Sequence, residues 1–459
     1  MKRRDLLGVF AAALASPVSG AREAAAGAVA AGNGAAGVRA QTAAMLSPTP
    51  PMGWNSWNSF GPTIDEAQAL ETAGIQARQL LPAGYEVFTV DIQWYEPQAN
   101  SYEYTRTPAP TLDPWGRLLP APNRFPSSAG GQGFAPLAHA VHALGLKFGV
   151  HLMRGIPRLA VEHNLPVVGT NLHARDIADT GSICPWNPDM YGVDMARPGA
   201  QAWYDGVFAL LASWGVDFVK MDDMSRPYDA HAPEIEAAHR AIGRSHRPMV
   251  LSLSPGETPV ARAEHAARHA QMWRISDDFW DDWALLDAQF TRLENWNAHR
   301  RAGAWPDADM LPLGRLALGA RDTRFTPDEQ RTLMTLWSIA RSPLIMGGDL
   351  RHLDEATLAL LTNPEVLAVN QRSSDNQPHF LADGLRAWSA RPQEGEGAYL
   401  ALFNTTTRAG ELSFPLQRLG FAGRVSIRDL WARADAGVTE GTLRAMVPAH
   451  GVLLLRLGR

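Results

Sequence analysis

Cysteine, clustered basic residues and long apolar runs are what this sequence has least of. Cys184 is the single cysteine among 459 residues, so an intrachain disulfide and a cysteine-built metal site are both excluded. The formal net charge is -5 and no Lys/Arg-rich run interrupts the ordinary mixture of charges, which argues against a nucleic-acid partner. The apolar stretch at residues 6–15 is too short to span a bilayer, so no membrane span is predicted. Because 46% of the residues are hydrophobic, we expect a globular protein with a large core.

The N-terminus has the pattern of an export signal. Basic residues at positions 2–4 precede residues 6–15, which suit the apolar region of a signal peptide. The paired arginines predict a twin-arginine-like signal, with a Sec signal as the alternative, and cleavage is expected after Ala15 or Ala40. An alanine- and glycine-rich stretch follows, so residues 1–46 are predicted to be a signal peptide and mobile leader. The expected location is periplasmic or secreted, and a cytoplasmic protein with a frayed tail is the alternative.

From residue 47 the chain alternates short apolar runs with longer amphipathic ones, which is typical of repeated β-α units around a parallel sheet. Strands are predicted at residues 52–57, 85–91, 146–151, 216–222, 248–254 and 271–276, near Trp305, and at 342–346. Helices are predicted from a capping box at Thr63 and Glu66 to about Leu81, and at 199–214, 234–246, 282–297 and 327–341. Eight strands favour a (β/α)8 TIM barrel over residues 47–373, since a doubly wound open sheet usually has fewer.

Beyond a helix predicted at residues 354–367 the pattern changes to short alternating strands. These are expected at residues 385–389, 398–404, 411–414, 425–429 and 451–457, with glycine-containing turns between them. The spacing predicts a C-terminal antiparallel β-sandwich domain over residues 374–459. Because this segment has no cluster of acids, a stabilising accessory role is favoured over carbohydrate binding of its own.

Polar residues recur where the barrel strands end, and in this architecture those ends converge on one face. Asp222 and Asp278 follow the fourth and sixth strands. Glycoside hydrolysis needs one carboxylate at the anomeric carbon and a second carboxyl group to protonate the leaving oxygen. Metal-dependent barrels also place paired acids at strand ends, but a His-x-His pair after the first strand is missing, so no metal or cofactor is expected.

Neighbouring residues complete this predicted site. Lys220 would keep Asp222 ionised. Trp273 and Trp280 would give Asp278 a less polar setting. Three aromatic residues are suited to stacking on sugar faces: Trp57, Trp94 and Trp186.

Seven short motifs resemble those of glycoside hydrolase family 27 and occur in the family's order. They are PMGWNSW at 51–57, VD at 90–91, GLKFG at 145–149, WGVDFVKMD at 214–222, WR at 273–274, WPDADML at 305–311 and RSPL at 341–344. RDLW at 428–431 and VPAHG at 447–451 resemble the family's C-terminal β-domain. The resemblance runs from Pro51 onward and implies a retaining, exo-acting, α-galactosidase-like hydrolase.

The resemblance also implies roles for the matching residues. Asp222 corresponds to the nucleophile and Asp278 to the general acid/base. The implied substrate-binding residues are Lys220 for a sugar hydroxyl, Arg274 for hydroxyls near the anomeric centre, Asp91 for distal hydroxyls, Trp57 as an apolar floor, and Asp309 with Met310 as a pocket wall.

Two departures from the family pattern bear on the substrate. Galactose-specific members have a second aspartate after strand two, where this chain has Ile92, so an acceptor for the O4/O6 edge of the sugar is missing. Residues 252–256, SLSPG, lack the acidic or cysteine-containing segment that is usual in the family at the end of strand five. Recognition of the group at the 2-position of the sugar is therefore expected to differ. His151 and Arg154 are candidate replacement ligands, and a purely structural histidine is the other interpretation of His151. The long segment before strand four adds possible subsite residues, with simple packing as the alternative: Trp186, Asn187, Asp189, Tyr191 and Asp194.

Three substrates follow from these observations. The main prediction is a terminal α-D-galactoside of an oligosaccharide or polysaccharide, cleaved by double displacement. A β-L-arabinopyranoside is the first alternative, because that sugar is galactose without its hydroxymethyl group and Ile92 would suit the loss. An α-glucosidic, isomaltose-type substrate is the second. A non-catalytic sugar-binding protein is the alternative of another class, and the presence of both Asp222 and Asp278 argues against it. The sequence does not predict an oligomeric state.

Overall fold

A computed structural model describes residues 45–382 and 384–458 of the chain. The predicted export signal and both predicted cleavage sites lie outside these residues. Within them, no helix has the length and apolar character needed to cross a membrane.

Eight parallel strands form one curled sheet. They are β1 (Met52–Asn55), β2 (Val87–Val90), β3 (Lys147–Met153), β4 (Phe218–Asp222), β5 (Val250–Leu253), β6 (Met272–Arg274), β7 (Trp305–Asp307) and β8 (Leu344–Met346). Each strand pairs with the next from β1 to β7, and β8 pairs with β1. The ring closes after β7, where Leu311 forms a parallel bridge to Met346 and donates a backbone hydrogen bond to Ile345 at 2.8 Å. The predicted (β/α)8 barrel is confirmed.

Helices cover the outside of the barrel, as the apolar spacing predicts. The main ones are Glu66–Gln79, Ala135–Ala143, Ala200–Trp214, Tyr228–Arg244, Ala263–His269, Trp283–Trp296 and Pro327–Ala340, and the shorter ones are Trp57–Phe60, Arg158–Glu162 and Ala174–Ile177. The first capping box differs from the prediction. Asp65, not Thr63, accepts from the backbone of Gln68 at 2.8 Å, and Gln68 accepts from Asp65 in return.

The helix predicted at residues 354–367 is two helices, Glu355–Thr362 and Pro364–Gln371. Proline lacks a backbone N–H and cannot continue the first helix, so the break falls at residue 364. Asn363 caps the second helix by accepting from Glu365 and Val366.

The long segment between β3 and β4 contains a small antiparallel sheet of its own. Its strands are Ile156–Pro157, Ala178–Ile183 and Met190–Val193, and the last lies between the other two. The chain leaves β3 through Gly155, which has a φ of +99°, and a Cβ there would lie 1.9 Å from the carbonyl oxygen of Tyr191. Only glycine permits this close approach. Another short hairpin, Arg315–Leu316 with Arg321–Asp322, follows β7.

The C-terminal residues form an antiparallel unit. Six strands make one sheet, namely Ser373–Ala382, Leu385–Pro392, Ala398–Asn404, Arg424–Asp429, Ala434–Glu440 and Val452–Gly458, while Gly410–Pro415 pairs with Thr442–Val447. The five predicted strands are present. Three were not predicted: Ser373–Ala382, Ala434–Glu440 and Thr442–Val447. Ala434–Glu440 is almost wholly exposed, so it lacks the alternation of apolar and polar residues that marks a half-buried strand.

The central strand Ala398–Asn404 is buried on both faces. Tyr399 and Phe403 pack into the same core as the barrel, whereas Leu400 and Leu402 pack into the core of the sandwich. At the junction, the ring of Trp283 stacks on His450 with centroids 3.7 Å apart. These contacts tie the C-terminal unit to the outer helices of the barrel and support a stabilising role for it.

Candidate active site

A cavity of about 470 Å³ opens at the carboxyl ends of the barrel strands. Eight of the residues predicted from the sequence line it: Trp57, Asp91, Lys220, Asp222, Arg274, Asp278, Asp309 and Met310. They come from five different strands or the loops that follow them. The convergence of strand ends in a closed barrel therefore brings together residues more than 250 positions apart in the chain.

Asp222 is the last residue of β4, and three side chains surround its carboxylate. His151 Nε2 lies 2.8 Å from Oδ2, Ser254 donates its hydroxyl to Oδ1, and Lys220 Nζ lies 4.0 Å from Oδ2. Burial alone would raise the pKa of Asp222. The charge of Lys220 and the interactions with His151 and Ser254 outweigh burial and lower the pKa below its usual range. Asp222 is therefore held as a carboxylate.

Lys220 joins Asp222 to Asp91. Its ammonium group donates to Asp91 Oδ2 at 2.9 Å, and Asn55 donates to the same oxygen at 2.7 Å. Burial would lower the pKa of Lys220, but Asp222 and Asp91 raise it above the ordinary value. Burial would likewise raise the pKa of Asp91, whereas Lys220 and His151 lower it. The base of the cavity thus contains two ionised acids and one ammonium group.

Arg274 ends β6 and contacts two further carboxylates. Its Nη2 lies 2.8 Å from Asp309 Oδ2 and 3.3 Å from Asp278 Oδ1. Burial, with the nearby charge of Asp278, raises the pKa of Asp309 to about 7, against the lowering effect of Arg274. Asp309 also accepts from the backbone of Phe279 at 2.7 Å, which fixes the loop that positions Asp278.

Asp278 has a different environment from Asp222. Its side chain is 52% exposed, whereas that of Asp222 is 8% exposed. Trp280 lines the cavity beside Asp278, but Trp273 is fully buried in the barrel core. Of the two tryptophans expected to make the setting of Asp278 less polar, only Trp280 therefore lies in the cavity.

Four other residues predicted to contact the substrate do not line this cavity. Trp94, expected to stack on a sugar face, is fully buried and donates its indole N–H to the carbonyl oxygen of His151 at 2.8 Å. Ile92 is 1% exposed, packs in the main core and donates its backbone N–H to Asp91. His151 is fully buried behind Asp222. Arg154 points away from the cavity, because Asp223 binds its Nε and Nη2 and Glu234 accepts from its Nη1 at 2.6 Å.

The aromatic wall of the cavity includes one residue that the sequence did not suggest. Tyr104, in the loop after β2, stacks on Trp57 with centroids 5.3 Å apart and lies 5.7 Å from the ring of Trp186. Tyr102 in the same loop donates to the carbonyl oxygen of Trp57. Burial and the nearby carboxylates, first that of Asp222, raise the pKa of Tyr104, so its hydroxyl remains a hydrogen-bond donor. A Tyr-x-Tyr pair in an irregular loop was the only available signal.

Within the described ranges, no group of three or more histidine, cysteine, aspartate or glutamate residues is arranged to hold a metal ion. Cys184, whose thiol lies near Asp223, is buried. The cavity therefore presents carboxylates, cations and aromatic rings to its contents.

Two family models match this chain. One described as Alpha galactosidase A matches residues 189–372, and one described as Alpha galactosidase C-terminal beta sandwich domain matches residues 382–457. An α-galactosidase from rice is 29% identical over 415 residues, which are 88% of this chain and 84% of that protein.

Solved structures are more similar. A family 27 β-L-arabinopyranosidase from Geobacillus stearothermophilus, in complex with arabinose, is 48% identical with a TM-score of 0.88, over 90% of this chain and 98% of that one. A Bacillus halodurans protein, provisionally described as an α-N-acetylgalactosaminidase, is 46% identical with a TM-score of 0.81, over 89% and 97% of the two chains. With the predicted motifs, these similarities show that the chain is a glycoside hydrolase and belongs to glycoside hydrolase family 27.

Proposed function

We propose that this enzyme removes one terminal sugar at a time with retention of configuration, using Asp222 as the nucleophile and Asp278 as the general acid/base. The observation that carries the proposal is the contrast between the two carboxyl groups. Asp222 is buried and held ionised by Lys220, His151 and Ser254, while Asp278 is half exposed at the mouth of the same cavity. One group suits attack on an anomeric carbon, and the other suits proton exchange with a leaving group and then with water.

The proposed reaction has two displacements. Asp222 attacks the anomeric carbon, and the glycosidic oxygen leaves with the proton of Asp278, which gives a covalent glycosyl ester. Water then attacks the same carbon, Asp278 takes the water's proton, and the carboxylate of Asp222 is released. Arg274, 3.3 Å from Asp278, compensates the negative charge that Asp278 acquires between the two steps.

The proposed substrates are pyranosides with the galactose arrangement of ring hydroxyls, namely terminal α-D-galactosides and, with preference, β-L-arabinopyranosides. The α-galactosidase models and relatives support this ring configuration. Ile92, in place of a second acid beside Asp91, and the 48% identity to an arabinopyranosidase support the preference for the sugar without a hydroxymethyl group. The natural substrate in this proposal is an oligosaccharide or polysaccharide ending in such a sugar.

Nitrophenyl glycosides of five sugars test this proposal: β-L-arabinopyranose, α-D-galactose, α-N-acetylgalactosamine, α-D-glucose and β-D-galactose. We expect the highest kcat/KM on the first, measurable activity on the second, and little on the others. Dominant activity on the glucoside would favour the isomaltose-type alternative, and inactivity on all five would overturn the exo-glycosidase proposal. In NMR spectra taken during hydrolysis, the sugar first released should have the anomeric configuration of the substrate.

The nucleophile is tested by Asp222→Asn, which keeps the size of the side chain but removes its charge. We expect kcat to fall by at least about 10³-fold, since an amide cannot form the glycosyl ester. Asp278→Ala should lose much less activity on nitrophenyl glycosides, whose leaving group needs no proton, than on disaccharides. Full turnover by Asp222→Asn would refute the assignment.

We also propose that the chain is exported, on the basis of the basic and apolar residues at positions 2–15. Fractionation of cells that produce the full chain should place activity outside the cytoplasm, and N-terminal sequencing should locate the cleavage site. Replacing Arg3 and Arg4 by lysine should block export if the twin-arginine route is used and leave it intact if the Sec route is used.

A further inference from the structure

A second cavity of about 400 Å³ adjoins the catalytic one. Tyr104 and Trp186 line both cavities, and their rings, 5.7 Å apart, form the wall between them. Trp186 belongs to the segment between β3 and β4, and Tyr104 belongs to the loop after β2. The second cavity therefore lies next to the first and has aromatic rings on the shared side.

The second cavity contains two guanidinium groups, those of Arg106 and Arg158, that have no acidic partner among the described residues. Arg106 is exposed, and within the described ranges its side chain makes no hydrogen bond or ion pair. Arg158 stacks on Tyr191 at 4.8 Å and donates its Nε to the carbonyl oxygen of Met190, but no carboxylate of the described residues lies within ion-pair distance of it. The Nη groups of both arginines are thus available as donors to a ligand.

Two further side chains that line the second cavity, those of Asn187 and Glu103, have polar groups that could bind a ligand. Asn187 is 1% exposed, and its Nδ2 has no hydrogen-bond partner among the described residues. Glu103, which is exposed, supplies an acceptor at the rim. Amide, guanidinium and carboxylate groups beside an aromatic wall form the mixture that binds a sugar, whose ring has apolar faces and hydroxyl groups at its edges.

We propose that this second cavity is a subsite for the leaving-group portion of the substrate and that Arg106 and Arg158 bind oxygen atoms of a sugar there. The inference rests on the proposed exo-acting function. In such an enzyme the catalytic cavity binds the terminal sugar of the substrate. A sugar-sized cavity beside it would therefore contact the part of the oligosaccharide that leaves when the glycosidic bond is cleaved. The ligand chemistry is a pyranose with oxygen acceptors, either hydroxyl groups or the carboxylate of a uronic acid.

The test compares substrates that reach the second cavity with one that does not. The nitrophenyl glycoside of the sugar preferred by the wild-type enzyme fills only the catalytic cavity. Two tetrasaccharides ending in the same sugar, one neutral and one with a uronic acid next to the terminal unit, extend beyond it. Each is assayed with the wild-type enzyme, Arg106→Ala, Arg158→Lys and the control Arg424→Ala, which removes an exposed arginine from the C-terminal sheet.

We expect Arg106→Ala and Arg158→Lys to lower kcat/KM for at least one tetrasaccharide by about tenfold, the effect of one hydrogen bond to a charged group. Hydrolysis of the nitrophenyl glycoside should stay within about twofold of wild type for these variants. A larger loss of kcat/KM on the uronic-acid tetrasaccharide than on the neutral one would identify a carboxylate as the partner of the arginine. Equal losses on the two tetrasaccharides, with the nitrophenyl glycoside unaffected, would identify hydroxyl groups. Unchanged tetrasaccharide kinetics, or equal losses on all three substrates, would overturn the subsite. A wild-type enzyme inactive on the nitrophenyl glycosides would instead refute the proposed function.

Discussion

His151 Nε2 lies 2.8 Å from Asp222 Oδ2, and the imidazole is completely buried behind the carboxylate. Its Nδ1 has no hydrogen-bond partner within the described ranges. Ser254 donates to the other oxygen of the same carboxylate. The carboxyl group of Asp222 is thus held from both sides by residues on β3 and just after β5.

Substitution of His151 tests whether this contact positions the nucleophile. We expect His151→Phe to lower kcat by about 10- to 100-fold, the effect of losing one hydrogen bond to a charged group, with little change in KM. His151→Gln, which can still donate to Asp222, should recover part of the loss. A rise in KM with unchanged kcat would indicate instead that His151 contacts the substrate. Steady-state kinetics on a nitrophenyl glycoside, with melting temperatures to check folding, decide between the two.

We expect Lys220 to set the acidic side of the pH profile. Burial alone would raise the pKa of Asp222, but the charge of Lys220 and other contacts lower it. Asp222 therefore stays ionised even when the pH falls below the usual pKa of an aspartate. Lys220→Met removes this charge, so the effect of burial on Asp222 is opposed less strongly and the pKa of Asp222 should rise. The acidic limb of kcat/KM should therefore move to higher pH, and activity at the optimum should also fall.

Lys220→Arg is the matched control, because it keeps a cation between Asp222 and Asp91. Its acidic limb should remain near that of the wild-type enzyme, whatever its absolute rate. An acidic limb that does not move in Lys220→Met would show that another group sets it.

Ile92 is the position at which we expect sugar preference to change. Ile92 packs in the core but directly follows Asp91, which lines the cavity. In Ile92→Asp a carboxylate that turns toward the cavity would supply the acceptor that the O4/O6 edge of galactose lacks here. The ratio of kcat/KM for the α-galactoside to that for the β-L-arabinopyranoside should rise by about tenfold or more. Ile92→Val, which stays apolar, should leave the ratio near that of wild type. Because Ile92 is buried in the core, the melting temperature of the aspartate variant should fall. An unchanged ratio in a folded Ile92→Asp protein would show that sugar choice depends on other residues.

The barrel and most of its site could be predicted from local sequence features. The strands are short apolar runs, and Asp91, Asp222 and Asp309 come at or just beyond their ends, where the closed barrel places them on one face. The eight-strand count and the positions of the acids required no knowledge of long-range contacts.

Side-chain direction in the loops could not be predicted in the same way. Tyr104 reaches the cavity because its loop folds back over Trp57, a contact that no periodicity encodes. Arg154 also follows a strand, but its direction depends on which buried acids are nearest. Asp223 has a φ of +63°, and the backbone turn there takes its carboxylate away from the cavity toward Arg154.

Arg154 is therefore expected to matter for stability rather than for substrate binding. It is the cation between two buried carboxylates, Asp223 and Glu234, and burial already raises the pKa of both despite its charge. Arg154→Met should lower the free energy of unfolding by about 3–5 kcal/mol, since it leaves buried acids without a counter-charge.

The pH dependence of this loss has a definite sign. An acid whose pKa is higher in the folded protein than in the unfolded chain destabilises the fold increasingly as pH rises above the unfolded value. The melting temperature of Arg154→Met should thus fall further below wild type at about pH 8 than at about pH 5. The unfolded carboxyls are already largely ionised at about pH 5, whereas the folded ones, whose pKa values are raised, lose their protons at higher pH. The triple variant Arg154→Met, Asp223→Asn, Glu234→Gln should lose this pH dependence. A normal melting temperature with a raised KM would instead make Arg154 a substrate ligand.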